Sequence, residues 1–326
     1  MKTKPNRPID SHLFMARLTL TAALFTVPAG SRADIVFASN WRTIEKYDLS
    51  SGTDLGVFAS GLNGADGLAF DAAGNLYVAI YGDNRIMKFT PSGVGSIFAS
   101  TGLNGPAGLA FDNSGNLYVA NNENNTIEKF TSGGIGSVFA STGLSSPVGL
   151  AFDSAGNLYA ANYHNGADPN SWIEKFTPEG VGSIFASTGM GNPSGLAFDK
   201  SGNLYVANFG AFTIERFSPD GAGSLFASNG LRGPEGLAFD SAGNLYVPNW
   251  YYSNIERFTP SGIGSVFATG LSNPYFIAIQ VPEPSVWRLL GFVFPVAVAF
   301  RHSKAQRAKL DKVSTRATWM RALPWF

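Results

Sequence analysis

The sequence predicts an all-β fold: a six-bladed β-propeller with four-stranded blades, closed by one C-terminal strand pairing with three N-terminal strands. Three observations predict it. One pattern recurs about every 41 residues through the middle of the chain. Each copy breaks into four short apolar runs separated by turn residues. The two ends of the repeated region carry complementary fractions of one copy. Four-stranded units at this period mark a propeller.

The first run is Gly-Leu-Ala-Phe-Asp, at residues 67–71, 108–112, 149–153, 195–199 and 236–240, with spacings of 41, 41, 46 and 41. The second opens on Gly-Asn-Leu-Tyr and covers 74–80, 115–121, 156–162, 202–208 and 243–249. Between them, Asp opens a tight hairpin and Gly takes the positive-φ position. The third run is Ile-Glu-Lys/Arg-Phe at 127–130, 173–176, 214–217 and 255–258, with IMKF at 86–89. Thr-Pro-Ser-Gly at 90–93 and 259–262 marks a turn. The fourth run is Gly-x-Gly-Ser-x-Phe-Ala, ending at Ala99 in the first copy. The apolar runs are nearly continuous, which suits strands covered on both faces.

The ends supply the sixth blade. Residues 34–39 (DIVFAS) match a second run, 44–47 a third and 56–59 a fourth, with no first run before them. Residues 274–279 match only a first run. Joining one strand to three removes the open sheet edges.

Composition agrees. Apolar residues make up 44% and charged residues 14%, enough for a sizeable core, and 38 Gly with 26 Phe suit short strands and many turns. The net charge of zero conceals a split. Residues 34–284 hold ten basic and 21 acidic side chains, whereas 1–33 and 285–326 are basic. An acidic body excludes a nucleic-acid partner, which requires a positive surface. The absence of Cys excludes a disulfide framework, a thiolate metal site and a Cys nucleophile.

The termini read as address labels. Residues 18–27 are an apolar run of signal-peptide length behind Arg17, and Ser31-Arg32-Ala33 predicts cleavage before Asp34. The signal is thus 1–33, with Met1 or Met15 as its start. Near the other end, Pro282-Glu283-Pro284 precede an apolar stretch at 289–300 and a basic run from Arg301. This order resembles the PEP-CTERM sorting signal of exopolysaccharide-producing Gram-negative bacteria over 281–304, with a basic tail at 305–326. The resemblance implies an exosortase-type processing enzyme as partner and transient anchoring in a membrane through the C-terminal segment. It places the mature chain in the periplasm, on the outer surface or in the extracellular matrix. Arg288 and Pro295 depart from the pattern, and 286–300 falls short of the roughly 20 residues a spanning helix needs.

Over 34–280 the repeat resembles the NHL propellers, and the streptogramin-lyase-like and gluconolactonase-like families share the superfold. The resemblance implies the fold and says little of activity, because propellers host many functions.

Loops leaving the second and fourth strands share one face; the tight turns occupy the other. On the first face the second run ends in Asn121, Asn162, Asn208 and Asn249, with Ile80 and Ser39 in the remaining blades. These Asn either cap strand ends or form a polar ring for a ligand or a hard cation. Nearby stand Trp41, Tyr81, Tyr163, Phe212, Trp250, Tyr251 and Tyr252, which either pack between blades or stack on a glycan or protein partner. An insertion at 163–172 adds His164 and Asp168. Glu235 is an acid near the channel mouth. The lyase- and lactonase-like families imply His and Glu acting with a divalent metal, or a Ca²⁺ or Mg²⁺ ion in the central channel. Here His164 is the only His within 34–280, and no Ser-His-Asp set or close carboxylate pair is visible at blade-matched positions. The expectation is an exported binding or scaffold module with no catalytic residue assigned. A metal-assisted lyase or lactonase is the alternative.

Overall fold

A computed structural model describes residues 34–163 and 171–280. They form six four-stranded antiparallel sheets, the blades of a propeller. Blade 1 runs Ala65–Phe70, Leu76–Ile80, Arg85–Phe89 and Gly95–Ala99. Blades 2 to 4 repeat it, opening on Pro106–Phe111, Pro147–Phe152 and Pro193–Phe198, with Leu117–Asn121, Leu158–Asn162 and Leu204–Asn208 second. Blade 5 opens on the short Ala238–Phe239 and continues with Leu245–Asn249. In blade 6, Ile277–Gln280 pairs with Ile35–Asn40, followed by Thr43–Asp48 and Asp54–Ser60. Ile35 opposite Gln280 and Ala38 opposite Ile277 fix the register of this closure.

The strand edges differ from the sequence expectation by a residue or more, for local reasons. Second strands start at the Leu of Gly-Asn-Leu-Tyr because the Asn stays in the turn. There Asp71 Oδ1 accepts the Asn75 backbone N–H at 2.8 Å and its Oδ2 accepts from Asn75 Nδ2 at 2.8 Å. Gly74 between them has φ 77°, a region only Gly enters freely. In blade 6 the paired first strand starts at Ile277 rather than Pro274. Tyr275 and Phe276 bond instead to Ser39, and the Tyr275 carbonyl accepts the Gly236 N–H of blade 5.

Burial grades outward from the axis. Every residue of the five-residue second strands is buried, whereas the fourth strands expose their first three positions. A second-strand Tyr fills five of the seams between blades, and Phe37 fills the sixth. Tyr118 meets Phe139 and Phe152 edge-on, both at 4.9 Å, and Tyr77, Tyr159 and Tyr205 repeat the pair. Such edge-to-face pairs add about 1 kcal/mol each beyond area burial. Near the axis the first strands crowd. A Cβ on Gly149 would lie 2.0 Å from the Ser194 carbonyl oxygen, and one on Gly108 2.0 Å from that of Val148. Glycine is the only residue that lets neighbouring inner strands approach this closely.

Candidate functional site

The site begins with a repeated irregularity. Pairing of first with second strand slips between Ala65 and Leu68, Pro106 and Leu109, Pro147 and Leu150, and Pro193 and Leu196. Each slip is a β-bulge, which re-aims a side chain away from the ladder. The bulged pair is a variable residue followed by the crowded Gly. The variable residues are Asp66, Ala107, Val148, Ser194, Glu235 and, in blade 6, Tyr275. Each is next to a glycine, or in blade 6 to Phe276, that abuts the neighbouring first strand, so the six positions circle the axis. Ser, Glu, Tyr and Asp are consecutive around this ring, and Ala107 and Val148 complete it.

The polar arc contains two carboxylates. Glu235 is buried and accepts a short hydrogen bond from the Ser194 hydroxyl. Asp66 is half-buried, yet its Oδ1 is sealed from solvent and has no hydrogen-bond partner. Neither acid has a Lys or Arg partner among the described residues; the ion pairs there involve Asp71, Asp83, Asp112 and Asp153. Burial therefore pushes the Asp66 carboxyl up to about 7. Burial and the Asp66 charge push Glu235 up to about 8, against the Ser194 bond that lowers it. Tyr275 lies between the two acids in ring order. Burial and both charges raise it, against a Trp250 hydrogen bond.

An aromatic rim stands on this floor. Trp41 lies 6.3 Å from Tyr81 and 6.1 Å from Tyr275. Across the mouth, Phe209 contacts Tyr163, Trp250 and Tyr251, the last at 5.7 Å. The rings rest on glycines two residues before each acid. A Cβ on Gly64 would meet Trp41 at 3.3 Å, and one on Gly233 would meet Tyr251 at 2.7 Å and Phe209 at 3.1 Å. Trp41, Phe212, Tyr251 and Tyr252 nevertheless stay 37 to 51% exposed. The rings thus pack on one another and still present faces to solvent. Phe212 does so at φ 59°, a strained conformation for a bulky residue. Arg232 lies over Tyr251 and Tyr252 at 5.8 and 5.9 Å.

The four strand-end Asn are spoken for. Asn121 Oδ1 accepts the Asn104 N–H, and its Nδ2 donates to the Gly102 carbonyl and Thr126 Oγ1. Asn162, Asn208 and Asn249 make the equivalent bonds to the loop entering their own blades. All four are buried, and their carbonyl oxygens already hold backbone N–H groups. Of the insertion, Tyr163 joins the rim, while His164 and Asp168 lie outside the described residues. So do Pro282, Glu283 and Pro284 and the 1–33 signal.

The implied channel ion can be tested on these donors. A hard cation takes six to eight oxygens. Asp66, Glu235 and the Ser194 hydroxyl are a partial set, the Asn oxygens are occupied, and no three acids or His converge among the described residues. Among the described residues these donors do not make a protein cage for Ca²⁺.

Sequence reasoning missed Asp66, Ser194, Tyr275 and Phe209. A signal for the first three was present: the residue before Gly-Leu-Ala-Phe is the one that changes character from copy to copy.

Residues 103–130 match the NHL repeat. No curated protein matches the chain. Among solved structures, a chain from the crystal structure of a nidogen/laminin complex is similar at 24% identity and a TM-score of 0.68, over 76% of this chain and 98% of that one. A virginiamycin B lyase from Staphylococcus aureus is similar at 19% identity and a TM-score of 0.55, over 65% and 73%. A gluconolactonase from Xanthomonas campestris is similar at 18% identity and a TM-score of 0.58, over 74% and 87%. At these identities the likeness is one of fold.

Proposed function

We propose that the protein is an exported, envelope- or surface-associated binding module that holds a glycan or protein partner on its aromatic-rimmed face. The observation that carries this reading is the rim itself. Four large rings stay 37 to 51% exposed around an axial floor of uncompensated acids. Exposed aromatics around a concave polar centre are the composition of binding hot spots. The structural neighbour from the nidogen/laminin complex is a propeller in a protein–protein assembly, which supports a protein partner by analogy of fold. Export rests on the leader-like 1–33 run and the sorting-like 281–304 segment. A metal-assisted lyase or lactonase would have to draw on Asp66 and Glu235, and the donor set around them favours binding instead.

The test is capture of a partner by the full chain and by a rim variant, Trp41→Ser/Tyr251→Ser/Tyr252→Ser, on a glycan array and by cross-linking in envelope extracts. Retention by the wild type and loss by the variant is the expected result. Equal behaviour of the two proteins overturns the reading. N-terminal sequencing of the exported protein should begin at Asp34; an earlier start rejects the cleavage site.

A further inference from the structure

We infer that the axial mouth between Asp66 and Glu235 receives a basic side chain, a lysine ammonium or an arginine guanidinium, presented by a protein partner. This rests on the binding-module reading and gives the chemistry of its centre.

Asp66 Oδ1 is a carboxyl oxygen sealed from solvent with no hydrogen-bond donor among the described residues. A buried carboxylate oxygen normally has a partner, and one without it marks a place where a partner is supplied. Glu235 has only the Ser194 hydroxyl, which is neutral. A guest cation at the mouth lies in the field of both acids, since Asp66 acts on Glu235 and both act on Tyr275.

The chain itself shows the same chemistry on its opposite face, already filled. Lys88 Nζ lies 5.0 Å above the Tyr77 ring and 3.5 Å from Asp71 Oδ2. Lys129 sits likewise between Tyr118 and Asp112, and Lys175 between Tyr159 and Asp153. Three times, an ammonium is held by a ring face and a carboxylate. The axial mouth has the same two partners, rings on Gly64 and Gly233 and acids two residues on; Arg232 covers the Tyr251 and Tyr252 faces, and neither acid is paired with a described Lys or Arg. Ring faces attract a desolvated cation.

The wider field agrees. Residues 34–284 carry ten basic and 21 acidic groups, which steers a basic partner to this body. Among the described residues the titratable groups facing the acids are Tyr81, Tyr163 and Tyr275, all raised: burial comes first in each case, with the Asp66 or Glu235 charge adding to it. Glu123 bonds the Tyr81 hydroxyl, and Arg232 stays with the Tyr251 and Tyr252 rings. A glycan brings hydroxyls but no charge, and leaves the carboxylate pair uncompensated.

The test titrates the full chain with n-butylammonium and n-butylguanidinium at constant ionic strength, following tryptophan fluorescence and heat. The uncharged controls are n-pentanol and methyl glucoside. The cations should saturate while the neutral controls do not. Affinity should rise by about 10-fold or more from pH 6 to pH 8.5 as Asp66 and then Glu235 ionise. It should fall by ~10-fold or more in Asp66→Asn/Glu235→Gln. Should that variant fail to fold, the wild-type pH profile still decides the matter. Absence of saturation, equal binding of n-pentanol, or undiminished binding by the double variant overturns the inference. Saturable binding of methyl glucoside alone reassigns the mouth to a glycan. If the cations fail while the rim variant still loses its captured partner, this inference falls and the binding-module reading stands.

Discussion

Glu235→Gln should stabilise the protein, and by an amount that grows with pH. The substitution keeps the shape and an acceptor for the Ser194 hydroxyl, and it removes the ability to ionise. Burial raises Glu235 from an ordinary 4.5 to about 8. A raised carboxyl binds its proton better in the folded than in the unfolded chain. The stability linked to that proton is fully present below pH 4.5 and is lost as pH rises through 8. At 1.36 kcal/mol per unit, the loss approaches about 5 kcal/mol by pH 9.5, and about 2 kcal/mol is already gone at pH 6. Water entry and relaxation reduce the realised figure to roughly half. Glu128, Glu174, Glu215 and Glu256 are also raised by burial, so the wild type alone cannot isolate Glu235; the difference between variant and wild type can. Urea unfolding at pH 4.5, 6, 7.5 and 9 supplies it. The variant should match the wild type within about 0.5 kcal/mol at pH 4.5 and exceed it by ~2 kcal/mol or more at pH 9. A difference that stays flat with pH, or that favours the wild type at pH 9, refutes the account of an uncompensated axial acid.

Gly149→Ala places a methyl group 2.0 Å from the Ser194 carbonyl oxygen and should cost more than about 3 kcal/mol in urea unfolding. Gly115→Ala, with nothing within 4 Å but φ 79°, should cost only about 1 kcal/mol. Asn121→Ala leaves the Asn104 N–H and the Gly102 carbonyl without their partners and should lower stability by about 2–3 kcal/mol; a neutral outcome would reopen a ligand role for the strand-end Asn. Phe212→Asn relieves a positive φ and should raise stability by about 1 kcal/mol while weakening partner capture, a trade readable by thermal unfolding beside the capture assay.

The architecture was legible because it is written repeatedly. Gly-Leu-Ala-Phe-Asp and Gly-Asn-Leu-Tyr each specify a turn and a strand, and five readings of one unit leave little room for error. The closure was legible because residues 34–60 and 274–279 are complementary fragments. The site was less so. The strand-end Asn drew attention because they recur, and recurrence in a repeat reports the scaffold: each Asn stitches the loop into its own blade. Glu235 was visible only as a lone acid. Asp66 stands in the Ala-Asp-Gly of the first copy, where the others read Pro-x-Gly. Its relation to Glu235 exists only once the ring has closed, with blade 6 between them. A linear reading cannot supply that neighbourhood.

The bulge resolves why uniform blades can still carry a particular chemistry. Within each bulged pair the two residues meet opposite constraints. The Gly faces backbone of the next blade within about van der Waals contact and admits no side chain. The residue before it has left the ladder, so neither strand pairing nor seam packing dictates its identity, and Asp, Ala, Val, Ser, Glu and Tyr all occupy it. A propeller of near-identical blades therefore keeps six slots around its axis in which side chains can change while the scaffold stands. In this chain four neighbouring slots are polar, and two of those are acids without a counter-ion among the described residues. Packing does not require that arrangement and burial penalises it. An arrangement that the fold neither needs nor rewards is where recognition is to be sought. The same reasoning sets Asp66 and Glu235, rather than the more numerous Asn, at the centre of what this face does.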